Sequence, residues 1–308
     1  MHYHPFMLFL LVFLSDSIYA ASRTERCIKK IKSYFTRYNI EKIDHIELPT
    51  ASLKSISIHN NNGPITIKTG WKKKYLCLKT IKHVKNKTHI DDIKIISDLT
   101  KPHHLSIHTQ HAYDHNGLVE YELIIPAELC VTLKTNKGSI VVKDVTGSIN
   151  AITDQGDITI INTKNTIHAE SHNHGAICID SATGPINAYA QGNVSIHNVH
   201  DNVIAHTKKG KLTVHYKDLA CATAVSLSTS SGALVLELPA TSHATINGST
   251  TYGTISCEHY ITLKPCTTQL NTLAWNKLKK EVHGTIQNGN TDITLSSIYG
   301  DIKILKST

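Results

Sequence analysis

A glycine or another turn-forming residue returns about every nine positions through the middle of the chain, and this spacing constrains the fold more than any other feature. From Gly138 the units GSIVVKDVT, GSINAITDQ, GDITIINTK, NTIHAESHNH, GAICIDSAT, GPINAYAQ, GNVSIHNVH, DNVIAHTKK and GKLTVHY follow one another without a gap. Their heads are Gly138, Gly147, Gly156, Asn165, Gly175, Gly184, Gly192, Asp201 and Gly210. Between heads, apolar side chains stand two apart, as in Ile140 and Val142, Ile158 and Ile160, Ile177 and Ile179, and Leu212 and Val214. Period-two alternation places such pairs on one face of a strand. The head residues are the types that accept the positive φ of a tight corner.

Two such units close one flattened coil, so the pattern predicts an all-β, single-stack β-solenoid with about 18 residues and two strands per coil. An antiparallel sandwich also accommodates short strands with frequent turns. Stacking is favoured because the inward residues are small and nearly constant, and alternate units match: the Asn-Ala of GSINA returns in GPINA, with His-Ala in TIHAE. Phe occurs four times and never in the central block, so a sandwich core would lack large aromatic plugs. Hydrophobic residues at 40% and charged residues at 18% fit a globular, β-leaning chain.

The alternation extends to both sides. Upstream, Ile56, Ile58, Ile65 and Ile67 flank the turn Asn60-Asn61-Asn62-Gly63; downstream come TSSGALVLELPA, TTYGTISC and a closing GTIQNGNTDITLSSIYGDIKIL. Residues 22–45 and 272–282 differ. Ile28, Ile31, Phe35 and Tyr38, and later Leu273 and Leu278 beside Trp275, recur at helical spacing and predict caps over the ends of the stack. Residues 1–20 hold an apolar core from Phe6 to Leu14 followed by small residues at Ala20 and Ala21, which reads as a secretory signal too short to span a bilayer. The expected division is a signal peptide over 1–20, an N-terminal helical cap over 21–50 and the solenoid over 51–308.

Lys and Arg number 32 against 24 Asp and Glu, a net charge of +8, and loss of Asp16 with the signal would leave 32 against 23. A basic surface favours anionic neighbours such as phospholipid headgroups or envelope glycans. The cations gather in residues 23–42, 72–87 and 277–280 without a nucleic-acid-binding motif, so no specific nucleic-acid binding is expected. The seven cysteines, at 27, 77, 130, 178, 221, 257 and 266, are odd in number; Cys257 and Cys266 are close enough in sequence to bridge, but spacing fixes no connectivity.

The G-x-I-x-I units, the SSG-x-L-x-L-x-LPA segment at 230–240, the TxYGTIS turn and the closing GNTDITLSSIYGDIKI resemble the bacterial adhesin-like toastrack (DUF4097) family over roughly residues 50–306. The resemblance implies a β-solenoid in exported or membrane-associated envelope proteins with no established catalytic residues. Many members also carry a membrane segment or a partner domain, and this chain shows only the signal.

The 21 histidines raise the question of metal binding. The register puts Asp180, His197 and His215 at equivalent outward positions on successive coils, a weak candidate for a divalent metal, and Glu170, Tyr189 and His206 in a similar row on the opposite face. Exposed ladder residues are the favoured reading, so neither metal nor cofactor is expected. His172-Asn173-His174 spells HNH but sits in the turn before Gly175 and lacks the surrounding nuclease pattern. Gly156-Asp157 and Gly300-Asp301 lack the paired glycines of calcium-binding rolls. Polysaccharide-active β-helix enzymes need clustered carboxylates and long cleft loops, which the near-constant units do not supply. The expected function is an exported, non-enzymatic adhesin-like binding or scaffold module of the cell envelope or surface. The alternative is an envelope-stress or pH-responsive sensor, and a polysaccharide-active enzyme ranks last.

Overall fold

The computed structural model describes residues 40–49, 52–70, 75–86, 89–99, 102–111, 117–263 and 280–307. The regular structure among them is β. The first strands are β1 (Ile40–Pro49), β2 (Ser55–Asn62), β3 (Ile65–Thr69), β4 (Tyr75–Val84), β5 (Ile93–Asp98), β6 (His104–His111) and β7 (Leu118–Ile125). A regular run follows: β8 (Cys130–Lys137), β9 (Ile140–Lys143), β10 (Ile149–Gln155), β11 (Ile158–Thr163), β12 (Ile167–Ser171) and β13 (Ile177–Ala182). It continues through β14 (Ile186–Ala190), β15 (Val194–Val199), β16 (Val203–Lys209), β17 (Leu212–Tyr216), β18 (Ala224–Ser231) and β19 (Leu234–Pro239). The chain closes with β20 (Ala244–Thr250), β21 (Ile255–Cys257), β22 (Thr262–Leu263), β23 (Glu281–Ile286), β24 (Thr291–Ser297) and β25 (Ile302–Ser307).

These strands make two open sheets, one of 12 strands and one of 13. From β8 to β19 the chain alternates between them, so two consecutive strands complete one coil, and each strand lies parallel to the next in its sheet. Ile149 faces Ile167 and Ile158 faces Ile140, an offset of 18 residues. The alternation read from the sequence is therefore the observed pairing. The offset widens to 22 between Val203 and Val225, where Asp218 to Thr223 form a longer corner.

At both ends the stacking order leaves the chain order. β2 lies between β6 and β8, and β3 between β7 and β9, so the β2–β3 coil is enclosed by later strands. At the other end β24 lies between β18 and β20, and β25 between β19 and β21; the last coil of the chain is inserted inside the one made before it.

Among the described residues, three of the four sheet ends finish in antiparallel strands, while the 12-stranded sheet ends at its other side on the parallel edge strand β21. Residues 40–49, expected within a helical cap, form β1 along β4 from Ile40 opposite Val84 to Pro49 opposite Tyr75. Residues 281 and 282, also expected as helix, open β23, which pairs antiparallel with β20. In both cases ladder pairing with an existing sheet edge overrides local spacing, because the edge offers a full row of backbone partners. The signal segment 1–20, the rest of the expected cap at 21–39, and the helical-spacing residues Leu273, Trp275 and Leu278 lie outside the described residues, as do Cys27 and Cys266.

One core runs between the sheets. Val142, Ile160, Ile179, Ile196 and Val214 line up on one side and Ala151, Ala169, Ala188 and Ala205 on the other, all buried. At one corner the glycines themselves stack. A Cβ built on Gly156 would collide with the carbonyl oxygen of Gly138, and one on Gly175 with that of Gly156. Beside this corner runs an interior column of hydroxyls. Thr135, Thr153, Ser171 and Thr250 donate to the carbonyls of Gly63, Gly138, Gly156 and Gly300 at 2.8–3.1 Å. A buried carbonyl at a corner has no ladder partner, and these side chains supply one. Near the C-terminal ends of β9, β11, β13 and β15, Asp144, Asn162, Ser181 and Asn198 form a column with φ between 54° and 61°, three of them Asp or Asn, types that tolerate the left-handed region. Asn162 and Asn198 also donate across one coil to Asp144 (2.6 Å) and Asp180 (2.9 Å).

Candidate binding face

Parallel register turns each outward position of the 13-stranded sheet into a row that crosses every coil, with neighbouring backbones ~4.8 Å apart. One row runs Thr132, Asn150, His168, Asn187, Ile204, Ser226 and Thr294; the next runs Lys134, Ile152, Glu170, Tyr189, His206, Ser228 and Ser296. The predicted row Glu170, Tyr189 and His206 is thus directly paired. Tyr189 is 40% and Ile204 45% exposed, so this sheet presents an aromatic and an aliphatic side chain to solvent among polar neighbours.

A chain of four ionisable groups lies next to them. His168 Nε2 meets Glu170 Oε1 at 2.9 Å, Glu170 Oε2 meets His172 Nε2 at 3.1 Å, and His172 Nδ1 meets Asp154 Oδ1 at 3.0 Å. The turn that carries His172 is held by its own backbone: His172 N donates to the Thr153 carbonyl and Asn173 N to that of Asp154. The hydrogen bond to Asp154, and then that to Glu170, hold the His172 imidazole above its ordinary pKa. The His168 ring leans toward Tyr189 with centroids 6.3 Å apart. Sequence reasoning placed Glu170 and Tyr189 in one row but missed Asp154 and His168. The signal was present, since His172 follows Asp154 by one coil length.

Farther along the same face His59 stands between His108 and Lys134. Burial, then Lys134, then His108 lower its pKa, so two histidines of one face are perturbed in opposite directions.

The predicted row on the opposite sheet is only partly brought together. Asp180 pairs with His197, and the His197 and His215 rings have centroids 6.4 Å apart. The register shifts after Ile196, because β15 carries the extra residue Asn198 where β17 goes directly from His215 to the buried Tyr216. Asp180 Oδ1 accepts from Ser181 and Asn198, and His197 Nε2 shares a 2.8 Å hydrogen bond with Ser195 Oγ. Among the described residues no three His, Cys, Asp or Glu side chains converge as a metal site. The turn glycines Gly138, Gly147, Gly156, Gly175, Gly184, Gly192 and Gly210 all sit at corners, each with a backbone atom of the adjoining coil where a Cβ would stand. Among the described cysteines none is joined to another; Cys257 Sγ donates to the His259 carbonyl, and burial raises its thiol pKa.

A groove of about 240 Å³ lies at the N-terminal end of the 12-stranded sheet, lined by His45, Glu47, Lys68, Cys77 and Ile124 and floored by the Lys79–Glu122 ion pair at 2.9 Å.

No known family profile matches the chain, and no curated protein matches it. Among solved structures, a candidate cell adhesion protein from Clostridium sporogenes aligns over 87% of this chain and 100% of its own at 9% identity and a TM-score of 0.30. A candidate adhesin from Bacteroides fragilis aligns over 86% of this chain and 97% of its own at 10% identity and a TM-score of 0.47. Likenesses of this size assign neither fold nor function to the chain.

Proposed function

We propose that the chain is an exported, non-enzymatic, adhesin-like module with a single-stack β-solenoid fold of the toastrack kind, and that the outer face of its 13-stranded sheet binds a repetitive glycan of the cell envelope. One observation carries the reading: rows of Asn, His, Ser and Thr cross the coils in register around the exposed Tyr189 and Ile204. Such a face meets a repeating polymer at many equivalent points, so weak single contacts add along it. The sugar-facing chemistry is of the required kind, an aromatic ring for apolar C–H faces and planar polar groups for hydroxyls.

The test has two parts. Cell fractionation with mass determination of the N-terminus should recover the protein from envelope or medium, starting near Ala21. Sedimentation with purified envelope glycan should then lose most of the bound protein in a Tyr189→Ala, His168→Ala variant. Intact Met1 in the cytoplasm would overturn export. Pelleting only with anionic vesicles, or only with envelope protein, would move the partner to another class.

The Asp154–His172–Glu170–His168 chain favours a second reading, a pH-responsive face, because protonation changes the charge of the residues that flank Tyr189. Envelope-glycan binding measured from pH 5 to pH 8 addresses it: equal affinity throughout removes the sensor.

A further inference from the structure

The corner position before each glycine of the stacked column is polar through most of the molecule: Lys137, Gln155, His174, Gln191, Lys209 and Ser231. The last two coils break the pattern with Tyr299 and Tyr252. Their rings are parallel, 2° apart, with centroids 4.8 Å from one another. Both remain well exposed, 63% and 67%, so the stack rests on no core. The two tyrosines are 47 residues apart in sequence and meet only because the β24–β25 coil is inserted beside β20–β21.

The backbone under the rings is fixed. Tyr252 N donates to the Ile298 carbonyl at 3.0 Å and Tyr299 N to that of Ser230 at 3.1 Å. On the side of Tyr299 away from Tyr252, the corner residue is the small Ser231, and Lys209 comes next. The result is a slot over Ser231 whose two walls stand on coils two strand spacings apart, about 9.6 Å on the ~4.8 Å repeat. One wall is the free face of an aromatic ring and the other an exposed Lys side chain. Asp301, two residues beyond Tyr299, is turned toward Thr254: its carboxylate accepts from Thr254 N and Thr254 Oγ1, both at 2.9 Å.

From this geometry we infer that the Tyr252–Tyr299 corner is a binding subsite for an acidic pyranose, a sugar residue that carries a carboxylate. Its apolar C–H face lies on the Tyr299 ring, its charge faces Lys209, and the Ser230 and Ser231 hydroxyls serve the ring hydroxyls. Tyrosine suits this role because its ring is rigid, and a preformed stack leaves little side-chain entropy to lose on binding. The subsite deepens the proposed glycan-binding function but uses residues outside the sheet face, so the two fail separately.

The experiment is isothermal titration of the full mature chain with oligogalacturonate, with neutral dextran fragments as the comparison. Oligogalacturonate should bind and dextran should not. Tyr299→Ala should weaken binding roughly tenfold or more. Ser231→Tyr, which fills the slot with a third ring, should abolish it, and Lys209→Gln should weaken it and flatten its salt dependence. Melting temperatures of the variants should stay at the wild-type value, as expected for exposed side chains. Tyr189→Ala should leave oligogalacturonate binding unchanged. Equal binding of dextran, or no binding of oligogalacturonate by a protein that still binds envelope glycan, overturns the ligand class. Loss of oligogalacturonate binding in Tyr189→Ala with full binding by Ser231→Tyr overturns the corner site and leaves the sheet-face reading intact.

Discussion

At the glycine corner a single methyl group is a backbone collision. Gly156→Ala puts a Cβ against the Gly138 carbonyl oxygen, an atom fixed by its own coil. We expect a loss of about 1–3 kcal/mol in urea unfolding, as for other overpacked sites. Thr153→Val keeps the shape but removes the donor to that same carbonyl, and should lose about 1 kcal/mol. The histidines give opposite pH signatures. His172 has a folded pKa above its ordinary 6.5, so its contribution is fully present below 6.5 and is lost as pH rises through the folded value. His172→Gln should therefore lower the urea midpoint more at pH 5.5 than at pH 8.5. His59 has a folded pKa below 6.5, so stability present above 6.5 is lost as pH falls through the folded value. His59→Gln should relieve that loss, with a midpoint closer to wild type at pH 8.5 and higher than wild type at pH 5. The reverse order in either variant would contradict the assigned partners. Stacked imidazoles alone suggest that acid loosens the whole face; the carboxylates on both sides of His172 reverse that sign locally.

At the scale of elements, the inserted C-terminal coil has the most to lose. β24 supplies both neighbours, β18 and β20, with a ladder partner, and β25 does the same for β19 and β21. Chain termini usually fray, but here the amides of Ile293, Leu295, Ile302 and Ile304 should exchange as slowly as those of β18, while the three-residue edge strand β21 exchanges early. Fast exchange across residues 293–304 would show that the insertion does not hold in solution. Removal of residues 291–308 should leave four unpartnered strand edges, on β18, β19, β20 and β21, and a protease-sensitive segment after Pro239. The enclosed β2–β3 coil follows the same logic at the other end. There a buried polar knot joins the out-of-order coils: Asn60 donates to the Val119 and Gly63 carbonyls, Thr109 Oγ1 donates to Asn60 Oδ1, and Tyr121 OH lies 2.7 Å from Thr109 Oγ1. Burial pushes the Tyr121 phenol up to about 12, so it stays a neutral hydrogen-bonding group at physiological pH.

On the scale of the molecule, ten parallel coils lie side by side among the described residues. At ~4.8 Å per coil the face is roughly 48 Å long. A ligand that binds through equivalent contacts along it should gain affinity with each added repeat until it spans that length, and then level off. Titration with size-fractionated envelope glycan measures this directly. A monosaccharide that binds as tightly as the polymer would point to one pocket instead of an extended face.

The sequence by itself determined the strand period, the coil of about 18 residues, and which side chains face inward, because alternation and corner residues are local and repeat. It made the row Glu170, Tyr189 and His206 legible for the same reason. The tertiary structure alone decided the order of coils at both ends, since the choice of neighbour for an exposed strand edge depends on which complementary edge is available and leaves no mark on the strand's own pattern. It also decided that residues 40–49 are strand, that the Asp180, His197 and His215 row breaks at a one-residue bulge, and that two tyrosines far apart in sequence stack at one corner. Each of these arises from contact between segments whose local preferences were equally compatible with another neighbour.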